Sequence, residues 1–245
     1  MLNVRALKAV WSNLSVPTIQ TIRSRRSIRS FLKKSVSERL INKIISCGLS
    51  APSSKNSNPW FIVRVRGKQK ERIADWIQAG AKKREGGELG PMDARTGEMS
   101  AGAFDTVAES VQTMREASVV LLMFNRGPLS GGKTAVLENP RGGRSLYTYA
   151  GEIVAIGAAS QNILLAAKAL GLGGVFMADS YPGRMRIQKE LETDCELIGS
   201  ISIGYPAYHA PPRKLVHQLS ATWEAAIGKM STENFTARKM ERSGP

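Results

Sequence analysis

The stretch AGEIVAIGAASQNILLAAKALGLG, residues 150–173, decides the fold. Its apolar residues fall on nearly every side of a 3.6-residue turn, so the spacing predicts a helix from Ala150 to Leu170. A helix apolar almost all round has to be covered on most sides, and its many Ala and Gly positions let a second helix come close. Gly171 and Gly173 form the turn that follows, and residues 171–178 lead into a strand. The longest apolar-rich run free of charge, Ile153 to Ala167, is 15 residues, whereas a membrane span needs about 20. No membrane span is expected.

Reading outward, Ala117–Phe124, Trp60–Arg66 and Glu196–Ile203 read as further strands. Ser35 and Glu38 stand at capping-box spacing before Leu40, Ile41, Ile44, Ile45 and Leu49, which predicts a helix over 36–50 with one buried face. Residues 68–83, 103–115 and 182–192 also read as helices. Residues 1–20 form an arm or short helix closed by Pro17. Glycine and proline mark loops at 84–102, taken as mobile, and at 127–145; Pro206, Pro211 and Pro212 release an extended tail. About five helices alternating irregularly with four or more strands predict an α+β chain. The expected organisation is an arm over 1–20, one domain over 21–216 with variable loops at 84–102 and 127–148, and a tail over 217–245.

Composition narrows the function. Cys47 and Cys195 are isolated and only His209 and His217 accompany them, so neither a disulfide framework nor a Cys/His metal site is expected. The formal net charge is +15, and residues 1–34 hold Arg5, Lys8, Arg23, Arg25, Arg26, Arg29, Lys33 and Lys34 with no acid. That charge calls for anionic partners. Aromatics are few and no recognition motif for nucleic acid is present, so no specific nucleic-acid partner is expected. The basic, acid-free N-terminus loosely resembles a transit peptide but lacks the apolar core of a secretory signal, and a cytoplasmic protein is expected.

One motif invites a nucleotide-binding reading. Gly127-Pro-Leu-Ser-Gly-Gly-Lys133-Thr134 fits G-x-x-x-x-G-K-[ST] and follows a hydrophobic strand. Phosphate binding also needs the loop to open straight into a helix whose N–H groups face the ligand. Pro140, Gly142 and Gly143 leave barely two turns after Lys133. A flexible surface loop is the favoured reading, with a P-loop protein the alternative.

Three segments carry the chemistry. Arg25-Arg-Ser-Ile-Arg29-Ser-Phe31 places three guanidiniums and a hydroxyl within five residues, suited to gripping a phosphate; alone it equally fits a solvated basic turn. Ala51-Pro-Ser-Ser-Lys-Asn-Ser-Asn-Pro-Trp60 offers short donors and acceptors, or is an ordinary helix-to-strand loop. The third runs from Gln161-Asn162 through Gly171-Leu-Gly173 and Asp179 to Ile203-Gly-Tyr-Pro206 and Arg213-Lys214. In this order and spacing they resemble the FMN-dependent nitroreductase family over roughly residues 20–216.

The resemblance implies an α+β sandwich, a mixed and mostly antiparallel sheet flanked by helices in an intertwined homodimer with FMN between subunits. It places Arg25, Arg26, Ser27 and Arg29 on the FMN phosphate, ribityl chain and pyrimidine edge. It brings Pro52, Ser53, Ser54 and Asn56 to the flavin from the other subunit, and the backbone at Ala178 and Asp179 to flavin N5. It sets Arg213 and Lys214 over the phosphate, and the helix from Ala150 at the dimer centre. No lysine lies between Lys83 and Lys133, so a lysine contact found in some members falls to another group such as Arg115. The implied activity is ping-pong reduction of a nitroaromatic, quinone or related acceptor by NAD(P)H, with catalysis at the flavin and no catalytic carboxylate. Arg141, Arg144, Tyr147 and Tyr149 are candidates for gripping an anionic aromatic, or are exposed loop residues. The alternative within the family is an FMN oxidase that passes electrons from an organic donor to O2.

Overall fold

A computed structural model of the chain describes residues 17–85, 103–138 and 143–211, together with 223–224 and 229–230. Seven helices and six strands appear among the described residues. The helices are α1 Pro17–Ser24, α2 Glu38–Leu49, α3 Gly67–Glu85, α4 Ala103–Glu116, α5 Gly132–Glu138, α6 Gly143–Ala169 and α7 Arg184–Glu190. The strands are β1 Trp60–Val65, β2 Val119–Asn125, β3 Gly173–Met177, β4 Glu196–Gly204, β5 Trp223–Glu224 and β6 Lys229–Met230. The chain divides into two compact units, Met1–Ala210 and Pro211–Pro245. In the second, β5 and β6 pair antiparallel.

In the first unit, four strands form one sheet in the order β1-β2-β4-β3, each pair antiparallel. Register runs Trp60 opposite Asn125, Val119 opposite Ile203, and Gly173 opposite Gly204, with an irregularity between Met123 and Phe124. A parallel bridge between Ser27 and Gly174 makes the sheet mixed at its β3 edge.

The central strand explains the layering. All seven residues of β2 are buried, and its side chains alternate between two cores. Val119, Leu121 and Met123 join Ile201 and Ile203 beneath Ile41 and Ile44 of α2 and Ile156, Ala159 and Ile163 of α6. Val120, Leu122 and Phe124 join Val175 and Met177 beneath Ile73 and Ile77 of α3, Val111 and Met114 of α4, and Ile187 of α7. A strand apolar on both faces requires helices on both sides.

Several boundaries differ from expectation for local reasons. Pro17 opens α1 instead of closing an arm; its fixed φ and missing N–H suit a first helical position. Ser37, not Ser35, caps α2, its Oγ accepting from the Leu40 amide. Glu38 is thereby released from a capping box and pairs with Arg64 and Arg66, tying α2 to β1. The long helix starts at Gly143, not Ala150, because residues 146–149 continue its turns. At 27 residues it is long enough to cross a bilayer, with a mean hydropathy of 1.3 over Leu146–Ala169, because the helix runs on past Glu152 and Lys168, which bound the 15-residue charge-free run. Here it lies against the sheet, with Glu152 and Ser160 buried. Lys70, buried on α3, donates to the carbonyls of Arg115 and Ala117 at the end of α4. Burial pulls its ammonium below the ordinary lysine value, partly offset by Glu71. Of the expected loop at 84–102, Arg84 and Glu85 belong to α3, and 86–102 lie outside the described residues.

The close approach of α2 and α6 needs glycine at 48: a Cβ there would lie 2.6 Å from Cγ1 of the fully buried Ile163. Gly48→Ala is expected to lower stability by about 1–2 kcal/mol, the overpacking cost exceeding alanine's helix gain. A lower urea midpoint with an unchanged slope checks this.

Candidate functional site

The segment 25–31 lies along the open edge of β3. The Ile28 amide donates to the Gly174 carbonyl at 3.2 Å, and further on the Leu32 amide donates to the Tyr205 carbonyl at 2.9 Å. Glycine at 173 permits this: a Cβ there would sit 2.8 Å from the Ile28 Cβ. Nη1 of Arg26 donates to the Arg23 and Arg25 carbonyls at 2.9 and 2.7 Å, closing the last turn of α1.

Between this segment, the end of α6 and the turn after β4 lies a cavity of about 90 Å³. Arg25, Arg26, Lys168 and His209 line it over the Gly173–Gly174 backbone, and none of the described lining residues is an acid. The room and the charge suit one phosphate group. The structure thus joins the first and third sequence segments. Lys168 and His209 were not anticipated. The available signal was a lone cation in the last turn of an otherwise apolar helix, where it also meets the negative end of the helix dipole.

Beyond the cavity, Arg29 lies 3.7 Å from Glu109 in an exposed, weak pair. Asp179 accepts from the Ser110 hydroxyl at 2.8 Å, so Arg29 and Asp179 meet adjacent residues of α4. Ala178 is exposed immediately after β3. Glu116 accepts from Gln112 at 3.0 Å and from the Phe31 amide at 3.3 Å, fixing the far end of the segment. Hydrogen bonds from Gln112, Ser30 and the Phe31 amide hold its carboxyl below the ordinary value.

The segment 51–59 does not line this cavity. Pro52, Ser54 and Asn56 are exposed, and Ser53 accepts from the Asn58 amide at 3.0 Å. Lys55, Asn56 and Asn58 hold positive φ of 52°, 52° and 46°. Arg213 and Lys214 lie outside the described residues. Arg115, the suggested replacement for a missing lysine, is engaged elsewhere: it pairs with Asp75 at 2.6 Å and Glu71 at 3.5 Å on α3. Of the aromatic-acid candidates, Tyr149 donates to Glu196 at 3.0 Å. Burial, then that carboxylate, pushes its hydroxyl far up, so it stays protonated. Tyr147 is exposed; Arg141 and the side chain of Arg144 lie outside the described residues.

The G-x-x-x-x-G-K-T stretch is neither a phosphate loop nor a plain flexible loop. Its interior is filled by Glu152 of α6. The amides of Leu129 and Ser130 donate to Oε1 at 2.8 and 3.1 Å; the Ser130 hydroxyl and Asn125 donate to Oε2 at 2.6 and 3.1 Å. An internal carboxylate therefore occupies the donors a phosphate would need, and Glu152 is almost wholly buried.

The Nitroreductase family pattern matches residues 22–205. A provisionally named NADH dehydrogenase/NAD(P)H nitroreductase from Archaeoglobus fulgidus is 26% identical over 193 residues, covering 77% of this chain and 84% of its own. A provisionally named nitroreductase from Desulfovibrio desulfuricans, solved with FMN, superposes with a TM-score of 0.58 at 24% identity, covering 85% of this chain and 98% of its own. The FMN-dependent nitroreductase NfnB from Mycobacterium smegmatis, solved with NADPH, gives 0.60 at 18% identity, covering 85% and 100%. At those identities the two structures establish a shared fold.

Two outcomes follow. Glu152→Ala leaves buried amides without acceptors and is expected to cost about 2–4 kcal/mol in chemical denaturation. Glu116, its carboxyl depressed, stabilises the fold above its unfolded titration range, and that contribution fades as pH falls through the folded value. The Tm gap between wild type and Glu116→Gln should therefore be widest near neutrality, begin to narrow as pH falls into the ordinary glutamate range, and close once the folded carboxyl is itself protonated.

Proposed function

The chain belongs to the nitroreductase family, and we propose that it is an FMN-dependent oxidoreductase acting as a homodimer. Its proposed reaction takes reducing equivalents from NAD(P)H and delivers them to a nitroaromatic, quinone or related acceptor at the same site in turn. The observation that carries this reading is the phosphate-sized cavity lined by Arg25, Arg26 and Lys168, with the Gly173–Gly174 backbone at its floor.

The residues fit the cofactor there. A phosphate near −2 is matched by clustered guanidiniums, and the Gly173–Gly174 backbone leaves room that side chains would fill. FMN, when bound, supplies two-electron hydride chemistry. Arg25 and Arg26 grip its phosphate, with Arg213 and Lys214 proposed to close over it. Ser27 and Arg29 face the ribityl chain and pyrimidine edge, and Arg29 supports negative charge there. The backbone at Ala178 and Asp179 faces N5. Pro52, Ser53, Ser54 and Asn56 serve the flavin of a second copy. Their position outside this chain's own cavity supports that assignment. So does the stripe of α6 that Leu146, Tyr147 and Val154 leave exposed for a partner helix to cover.

Purified protein should be yellow, absorbing near ~450 nm, as bound flavin requires. Replacing Arg25 and Arg26 together with alanine should weaken FMN binding by roughly 100-fold or more, read by quenching of flavin fluorescence. Double-reciprocal initial-rate plots should be parallel for NAD(P)H against acceptor. A colourless protein that takes up no added FMN overturns the reading, and intersecting lines overturn the shared site.

A further inference from the structure

A second cavity, of about 220 Å³, opens at the other end of β3, between the stretch 125–134 and Tyr181–Arg184. It shares no lining residue with the phosphate-sized cavity. Arg126, Lys133 and Arg184 line it, and none of the three forms an ion pair among the described residues.

Two of these cations are held in place by one aromatic ring. The Arg184 guanidinium lies 3.9 Å from the Tyr181 ring centroid and Lys133 Nζ 5.3 Å from it. Lys133 also donates to the Tyr181 hydroxyl at 3.4 Å. The turn that carries Arg126 and leads into Lys133 is fastened from within by Glu152. Two of the three donors are therefore set before any ligand arrives, which lowers the ordering cost of binding. Two acids share the wall. Glu196 is held by the Tyr149 hydroxyl, and Asp194 is exposed; neither lies within ion-pair distance of the three cations. The described lining thus carries three cations against two acids.

We propose that this groove is an oxyanion subsite, in which Arg126, Lys133 and Arg184 take the carboxylate or phosphate of a small ligand. The Tyr181 amide donates to the Ala178 carbonyl at 3.3 Å, so the groove begins one turn beyond the stretch proposed to face flavin N5. A ligand anchored by its anion here extends its other end toward the reaction. The proposal rests on the FMN reading for that direction, but the groove's affinity for an anion does not depend on it. Two sources present the same chemistry: an acceptor bearing a carboxylate, and the phosphates of the dinucleotide reductant.

The test uses the protein as purified and separates them. Anaerobic calorimetric titration with 4-nitrobenzoate and nitrobenzene on the oxidised protein, and with NADH after the flavin has been reduced with dithionite so that no hydride can transfer, is run on wild type, Arg184→Ala, Lys133→Ala and Lys133→Arg. Loss of one charge-assisted contact should weaken an anchored ligand roughly tenfold or more. If the acceptor supplies the anion, 4-nitrobenzoate weakens while nitrobenzene and NADH do not, and Lys133→Arg restores most of the loss. If the reductant does, NADH weakens alone. Unchanged affinities for both anions, or equal losses for nitrobenzene, overturn the subsite. The flavin spectrum of each variant reports whether the cofactor site is intact. Should Arg184→Ala fail to fold, Arg126→Ala, at an exposed side chain, takes its place. Failure to bind FMN would sink the function above while leaving the anion titration to decide this subsite on its own.

Discussion

The backbone contact between Ile28 and Gly174 is the constraint on which the site depends. A segment with three arginines in five residues would repel itself and drift in solvent if left as a loop. Pinned to the edge of β3, with Ile28 and Phe31 inserted into the core below, it cannot drift. The absence of a side chain at Gly173 sets how closely the two backbones approach. Everything charged around the cavity follows from that approach. Arg25 and Arg26 arrive from the segment itself, Lys168 from the end of α6, and His209 from the turn after β4. The same contact shields the open edge of β3, which would otherwise offer unpaired amides to any extended chain.

The fold was legible because its apolar patterning is extreme. Residues 119–125 are buried on both faces and residues 150–170 apolar on most, and each pattern admits few arrangements. The boundaries were less legible, because competing local signals looked alike. Ser35 and Ser37 both precede a helical run, and only the partners of Glu38 on β1 decide between them. Pro17 suits the start of a helix as well as its end. The candidate segments were visible as three clusters, but the meeting of the first and third was not, since residues 27 and 174 are joined by a bridge that no spacing encodes. Lys168 reads in sequence as one cation on an apolar helix, and only the return of residues 206–210 gives it a role.

The G-x-x-x-x-G-K-T stretch shows how a motif can keep its backbone and change its use. Amides that converge on an anion are present, as the letters suggest. The anion is a side chain of the same protein, 22 residues or so downstream. The arrangement converts a flexible glycine-rich turn into a fixed bracket between β2 and α6. Periodicity could not expose this, because Glu152 looks like one polar residue among several on a helix expected to be largely apolar.

The turn at 55–58 has a different consequence. Three residues other than glycine are held there in the left-handed region, a conformation that costs free energy at each position. The side chains of Lys55 and Asn56 face outward and add nothing to the described core. Local economy would favour glycine at Lys55 above all, asparagine tolerating this region far better than lysine, so Lys55 marks a spot where an isolated chain is held less comfortably than it could be. Robustness and usefulness pull in opposite directions there, and variants selected only for heat resistance would drift toward glycine at this turn first.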